Sequence, residues 1–84
     1  MGTEVDPDVP SYSIGTVKEK TSLTARQIRY YEEEGLIDPE RSKGNQRIYS
    51  KNDIAELREI KRLMEQGINL AGIKRLKKDN NENS

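Results

Sequence analysis

The 84-residue chain has room for one domain, and at 31% hydrophobic residues that domain can bury only a small core, which argues against an enzyme with a deep pocket. It contains neither cysteine nor histidine, so disulfides and the usual zinc, copper or mercury ligand sets are excluded, and no metal or cofactor is expected. The formal charge is zero, but the ends hold Glu4, Asp6, Asp8, Asp79 and Glu82 without a basic residue, so Ser13 to Lys78 carries all 15 Lys and Arg against 10 of the 15 acids, a net +5.

Residues 1–11, acidic and containing Pro7 and Pro10, read as a flexible or extended arm. Met1 to Tyr12 has no apolar run of the signal-peptide kind and no stretch approaches membrane-spanning length, so a cytoplasmic protein without membrane association is expected. Ser13 is placed to cap a short helix running to about Lys20, with Tyr12 packing on Val17 as a hydrophobic staple. Only Thr21 to Leu23 then separate it from the next helix start, which is helix-turn-helix spacing, although many helical hairpins share it.

Thr24 and Gln27 form a capping box, Leu23 and Ile28 its staple, and Gly35 a left-handed stop after Glu34. On a helical wheel Thr24, Ile28 and Tyr31 fall together, while Arg26, Arg29, Tyr30 and Glu33 fall opposite. Tyr31 is therefore expected in a core with Val17, Leu23 and Leu36, and Tyr30 outside between two arginines. Such a face can enter a nucleic-acid groove, since arginine bridges guanine O6 and N7 or grips phosphate. It can equally be a solvated face on which Arg29 pairs with Glu33. Glu32, Glu33 and Glu34 do not suit acid–base catalysis, because adjacent helical residues diverge and no partner residue exists. Acids at a helix C-terminus also oppose the macrodipole, and the sequence offers no reason for them there.

Leu36 to Tyr49, with Pro39 and Gly44-Asn45 inside it, suits a small β-hairpin. Arg41, Lys43 and Arg47 are its cations, with no acid from Arg41 to Tyr49, as in a wing that follows a phosphate backbone or simply a basic loop. Ser50 and Asp53 start a third helix, with Tyr49 and Ile54 as staple and an apolar stripe of Ile54, Leu57, Ile60 and Met64 ending at Gly67. Asn69 caps a fourth, with Ile68 and Ile73 as staple and Leu76 on the same side. Lys74, Arg75, Lys77 and Lys78 suit its C-terminal dipole and could touch phosphate secondarily. Residues 79–84 read as a disordered end.

The string TARQIRYYEEEGLIDP from Thr24 to Pro39, followed by Arg47-Ile48-Tyr49-Ser50 and Glu65-Gln66-Gly67-Ile68, resembles the N-terminal DNA-binding domain of the MerR family, over Tyr12 to about Lys78. Arg41-Ser42, Gly44-Asn45 and the run Asn69 to Ile73 make it most similar to that family's Gram-positive nitrogen-regulator branch. The resemblance implies a mainly α winged helix-turn-helix with four helices and a small β-hairpin wing, occupying residues 12–78 between the arm and the C-terminal end. It further implies a homodimer that sets its second helix in successive major grooves of double-stranded DNA, at an AT-rich dyad operator with TGT and ACA ends, regulating nitrogen-metabolism genes.

Carried over residue by residue, the implied DNA contacts are Thr24, Arg26, Arg29 and Tyr30 from the helix and Arg41, Lys43 and Arg47 from the wing. The implied dimer contacts are Tyr12, Ile14 and Val17. Glutamine synthetase is the implied protein partner, through a C-terminal tail absent from this chain. Where much of the family has glycine-tyrosine before the wing arginine, this chain has Asn45-Gln46, so that tyrosine contact is not carried over. Asparagine can still take the left-handed turn conformation. Two other functions fit the same features: an excisionase-like architectural protein that bends DNA, and a protein-interaction module using Tyr30 and its arginines.

Overall fold

The computed structural model describes residues 6, 7 and 9–82, those after Lys78 as backbone. The elements in chain order are α1 (Ile14–Thr21), α2 (Ala25–Glu33), β1 (Glu40–Arg41), β2 (Arg47–Ile48), α3 (Lys51–Glu65) and α4 (Leu70–Glu82). No helix among the described residues is long and apolar enough to cross a membrane.

Each helix starts at the residue able to satisfy its first free N–H groups. Ser13 Oγ accepts from Thr16 N at 3.4 Å, and Asn69 Oδ1 accepts from Gly72 N at 2.9 Å. Thr24 and Gln27 bond reciprocally at 3.1 and 2.9 Å, and Ser50 and Asp53 do the same at 3.1 and 2.9 Å. Such caps contribute roughly 1 kcal/mol each. Gly35 (φ +81°) and Gly67 (φ +90°) turn the chain out of α2 and α3 in the left-handed region. The α1–α2 turn uses a device not visible in the sequence. Buried Thr21 donates its hydroxyl to Val17 O at 2.7 Å and accepts from Leu23 N at 3.2 Å, which fixes the angle between the two helices.

The wing is shorter than the span from Leu36 to Tyr49. Its antiparallel register pairs Glu40 with Ile48 and Arg41 with Arg47. Asn45, at φ +64°, takes the left-handed position in the connecting turn. Leu36 and Ile37 lie in the core, because the chain leaving α2 must cross the apolar centre before Pro39 redirects it. At the other end Tyr49 forms a bridge with Tyr12 through backbone bonds of 2.9 and 2.7 Å, and Ser11 N also donates to Tyr49 O. Asn52 N donates to Pro7 O at 3.1 Å, so the described part of the arm is hydrogen-bonded along the base of the wing and the start of α3.

The core comprises Val17, Leu23, Ile28, Tyr31, Leu36, Ile37, Tyr49, Ile54, Leu57, Ile60 and Ile73. Val17 is fully buried inside the protomer, so it has no surface to offer a second chain, while Tyr12 and Ile14 are partly exposed. Met64 and Leu76 continue the helical periodicity but are 42% and 45% exposed, because no further layer covers those turns. The last helix runs past Lys78 to Glu82, beyond the boundary expected from composition.

Tyr49 is completely buried and its hydroxyl has no hydrogen-bond partner among the described residues. Burial, and then the negative charge of Glu32, raises its pKa, so the phenol stays neutral. Tyr49→Phe removes an unsatisfied polar group and is expected to raise the unfolding free energy in urea by about 1 kcal/mol; a loss of that size would show that the hydroxyl is satisfied. Asn45→Ala is expected to lower stability by about 1 kcal/mol through the left-handed backbone, and Asn45→Gly to leave it unchanged or higher. Equal effects of the two in thermal melts would rule out backbone strain as the cause.

Candidate nucleic-acid interface

Helix α2 projects one polar face and buries the other. Ile28 and Tyr31 enter the core, leaving Arg26, Arg29, Tyr30 and Glu33 around a shallow outer groove. Tyr30 is 46% exposed, and its ring lies 5.7 Å from that of Tyr31 at 58°, so a buried tyrosine braces an exposed one. Desolvation, with a smaller contribution from Tyr30, raises the Tyr31 pKa. Among the described residues, Arg26 and Arg29 form no ion pair, and the Arg29–Glu33 pair that would have made this a self-neutralised face is absent. Thr24, at the N-terminal end of the same helix, is exposed, with its oxygen accepting from Gln27 N.

The wing lies beside this face. Arg29 lines a second groove together with Ser13, Ile14, Asn45, Gln46 and Arg47, which makes the helix face and the wing one continuous surface. The three wing cations have different surroundings. Arg41 Nη1 donates to Asn45 O at 3.2 Å and so closes the wing turn. Lys43 is exposed in the turn. Arg47 is tied to α2, its Nε 2.5 Å from Glu32 Oε1, with the two side chains only 26% and 21% exposed.

The glutamate triplet thereby acquires a physical reason. Glu32 holds the wing through Arg47, Glu34 pairs with Lys74 of α4, and Glu33 stays on the exposed face. Lys77 pairs with Glu56 of α3, and burial lowers the Lys77 pKa. The basic run of α4 is therefore partly structural, leaving Arg75 and Lys78 as its exposed cations without an ion pair among the described residues. Glu32, Gln27 and Gln46 belong to the site or its support and were not singled out from the sequence as contacts. The capping box did mark Gln27, whereas nothing local marks Glu32, whose partner is 15 residues away.

The surface is a helix face bearing a tyrosine and two arginines that form no ion pair among the described residues, flanked by a basic hairpin and supported by a helix-turn-helix. The family model described as "MerR HTH family regulatory protein" matches residues 12–80. The HTH-type transcriptional regulator GlnR of Bacillus anthracis is 55% identical over 67 residues, covering 80% of this chain and 52% of that protein. The HTH-type transcriptional regulator TnrA of Bacillus subtilis is 49% identical over 61 residues, covering 73% and 56%. The mercuric resistance operon regulatory protein of Bacillus cereus is 39% identical over 66 residues, covering 77% and 50%. The chain thus spans about half the length of these relatives. With the winged helix-turn-helix architecture and a match over most of its residues, the chain belongs to the MerR HTH family of regulatory proteins.

Proposed function

We propose that this chain is the sequence-specific DNA-binding module of a transcription regulator of nitrogen-metabolism genes, acting as a homodimer on an AT-rich dyad. The observation that carries the proposal is the continuous surface from Arg26, Arg29 and Tyr30 across to Arg47, with both helix arginines free of ion pairs among the described residues. Helix α2, at about 10–12 Å across with its side chains, has a cross-section suited to a major groove about 12 Å wide. Arg29, at the centre of the face and next to the wing, reads a base edge. Arg26 and Thr24, nearer the helix start, hold phosphate, and Tyr30 lays its ring on a thymine methyl or meets the backbone. Arg41 and Lys43 follow the flanking phosphates, with Arg47 at the wing base.

Similarity to GlnR and TnrA supports the nitrogen branch. Tyr12 and Ile14, partly exposed above buried Val17, are the surface on which two protomers meet. Glutamine synthetase is the protein partner we assign to the longer form of such regulators, through a region beyond the part matched here. The work is cytoplasmic, where the operator is.

Fluorescence anisotropy against a duplex carrying the TGT…ACA dyad and against a scrambled duplex, at roughly 50 and 200 mM salt, tests this reading. Preference for the dyad with two chains per duplex is expected. Equal, weak and salt-sensitive binding to both would overturn it, and cooperative coating of direct repeats would point to an architectural protein. Arg29→Ala is expected to cost about 1 to 3 kcal/mol on the dyad and less on the scrambled duplex; equal losses would make Arg29 a phosphate contact.

A further inference from the structure

The pairing of Arg47 with Glu32 has consequences for recognition beyond holding the wing in place. An arginine has five N–H donors in a rigid plane. Here Nε is bound to Glu32 Oε1, while the side chain remains 26% exposed at the groove shared with Arg29. The contact through Nε fixes the guanidinium plane and leaves the Nη groups as the donors for an incoming phosphate or groove edge. Glu32 is itself on α2, three residues beyond Arg29, so the wing cation is set in register with the helix that reads the bases.

Two effects on DNA binding follow. An immobilised arginine has already lost the rotamer freedom that a free one loses on binding. A carboxylate at bonding distance also offsets the cation, so a phosphate arriving in the wrong geometry must compete with Glu32. A phosphate arriving at the Nη side does not. Resting on the DNA-binding reading above, we propose that Glu32 is a positioning residue that sets specificity: it holds Arg47 by Nε, raising discrimination for a correctly seated duplex and suppressing binding to DNA of arbitrary sequence.

The test uses the 84-residue chain and the same two duplexes. Glu32→Gln keeps the shape and removes the charge. The ratio of scrambled to dyad Kd is expected to fall about tenfold, with tighter binding to scrambled DNA and a salt slope there steeper by about one phosphate contact. In an Arg47→Ala background the same change is expected to leave the ratio unaltered. Arg47→Lys, which keeps the charge but lacks Nε and the planar fork, should lower the ratio as well, and provides an independent readout should Glu32→Gln fold poorly. An unchanged ratio in either single variant, or parallel weakening on both duplexes in both backgrounds, would overturn the proposal. If the parent chain itself does not discriminate, the DNA-reading assignment fails and this inference with it; if the parent discriminates and the variants do so equally, only the inference fails.

Discussion

Helix α2 is nine residues long, below the length at which an isolated helix is stable in water, so its polar face keeps its shape only because the rest of the chain holds it. Ile28 and Tyr31 anchor it to the core, the Thr24–Gln27 box fixes its start, and Gly35 ends it. Glu32 and Glu34 then tie its last turns to the wing and to α4. The opposite face is left to two arginines and a tyrosine. A short helix held on one side and at both ends presents its remaining side chains in a fixed array.

The ion pairs sort the cations by role. Surface pairs contribute little net stability, typically under about 1 kcal/mol each. Their importance here lies in position. Lys74 and Lys77 join α4 to α2 and α3, and Arg62 pairs with Glu59 within α3. Among the described residues Arg26 and Arg29 have no such partners, and they lie on the surface that also includes the wing. A chain of zero formal charge can in this way present a locally positive surface, because five of its 15 acids lie outside Ser13 to Lys78 and Glu32, Glu34, Glu56 and Glu59 are paired with lysine or arginine.

The wing and the N-terminal segment are mechanically one unit. The Tyr12–Tyr49 bridge lies between the start of α1 and the start of α3, and Asn52 binds the backbone at Pro7. Arg58 Nε donates to Lys20 O at 3.0 Å and ties the middle of α3 to the end of α1. A two-residue strand pair would be marginal by itself. Anchored by a buried Tyr49 and by Arg47, it becomes a fixed extension of the helical body. The partly exposed Tyr12 and Ile14 lie at the same junction, so a second protomer meeting them would meet the base of the wing.

Features that depend on neighbours three or four residues apart were legible in the sequence: the caps at Ser13, Thr24, Ser50 and Asn69, the stops at Gly35 and Gly67, the opposite orientations of Tyr30 and Tyr31, and the left-handed turn at Asn45. Backbone geometry and local hydrogen bonding decide these, and residue type reports on both. The exposed candidates Arg26, Arg29 and Tyr30 were legible for the same reason. The core places of Val17 and Leu36 beside Tyr31 were legible too, whereas tertiary structure alone decided that Ile37 serves the core and not the hairpin, and that Met64 and Leu76 remain uncovered. It alone supplied the partners of Glu32 and Glu34, 15 and 40 residues away. Helical periodicity says which side of a helix a residue occupies; what lies against that side depends on where the chain returns, and no local pattern encodes it.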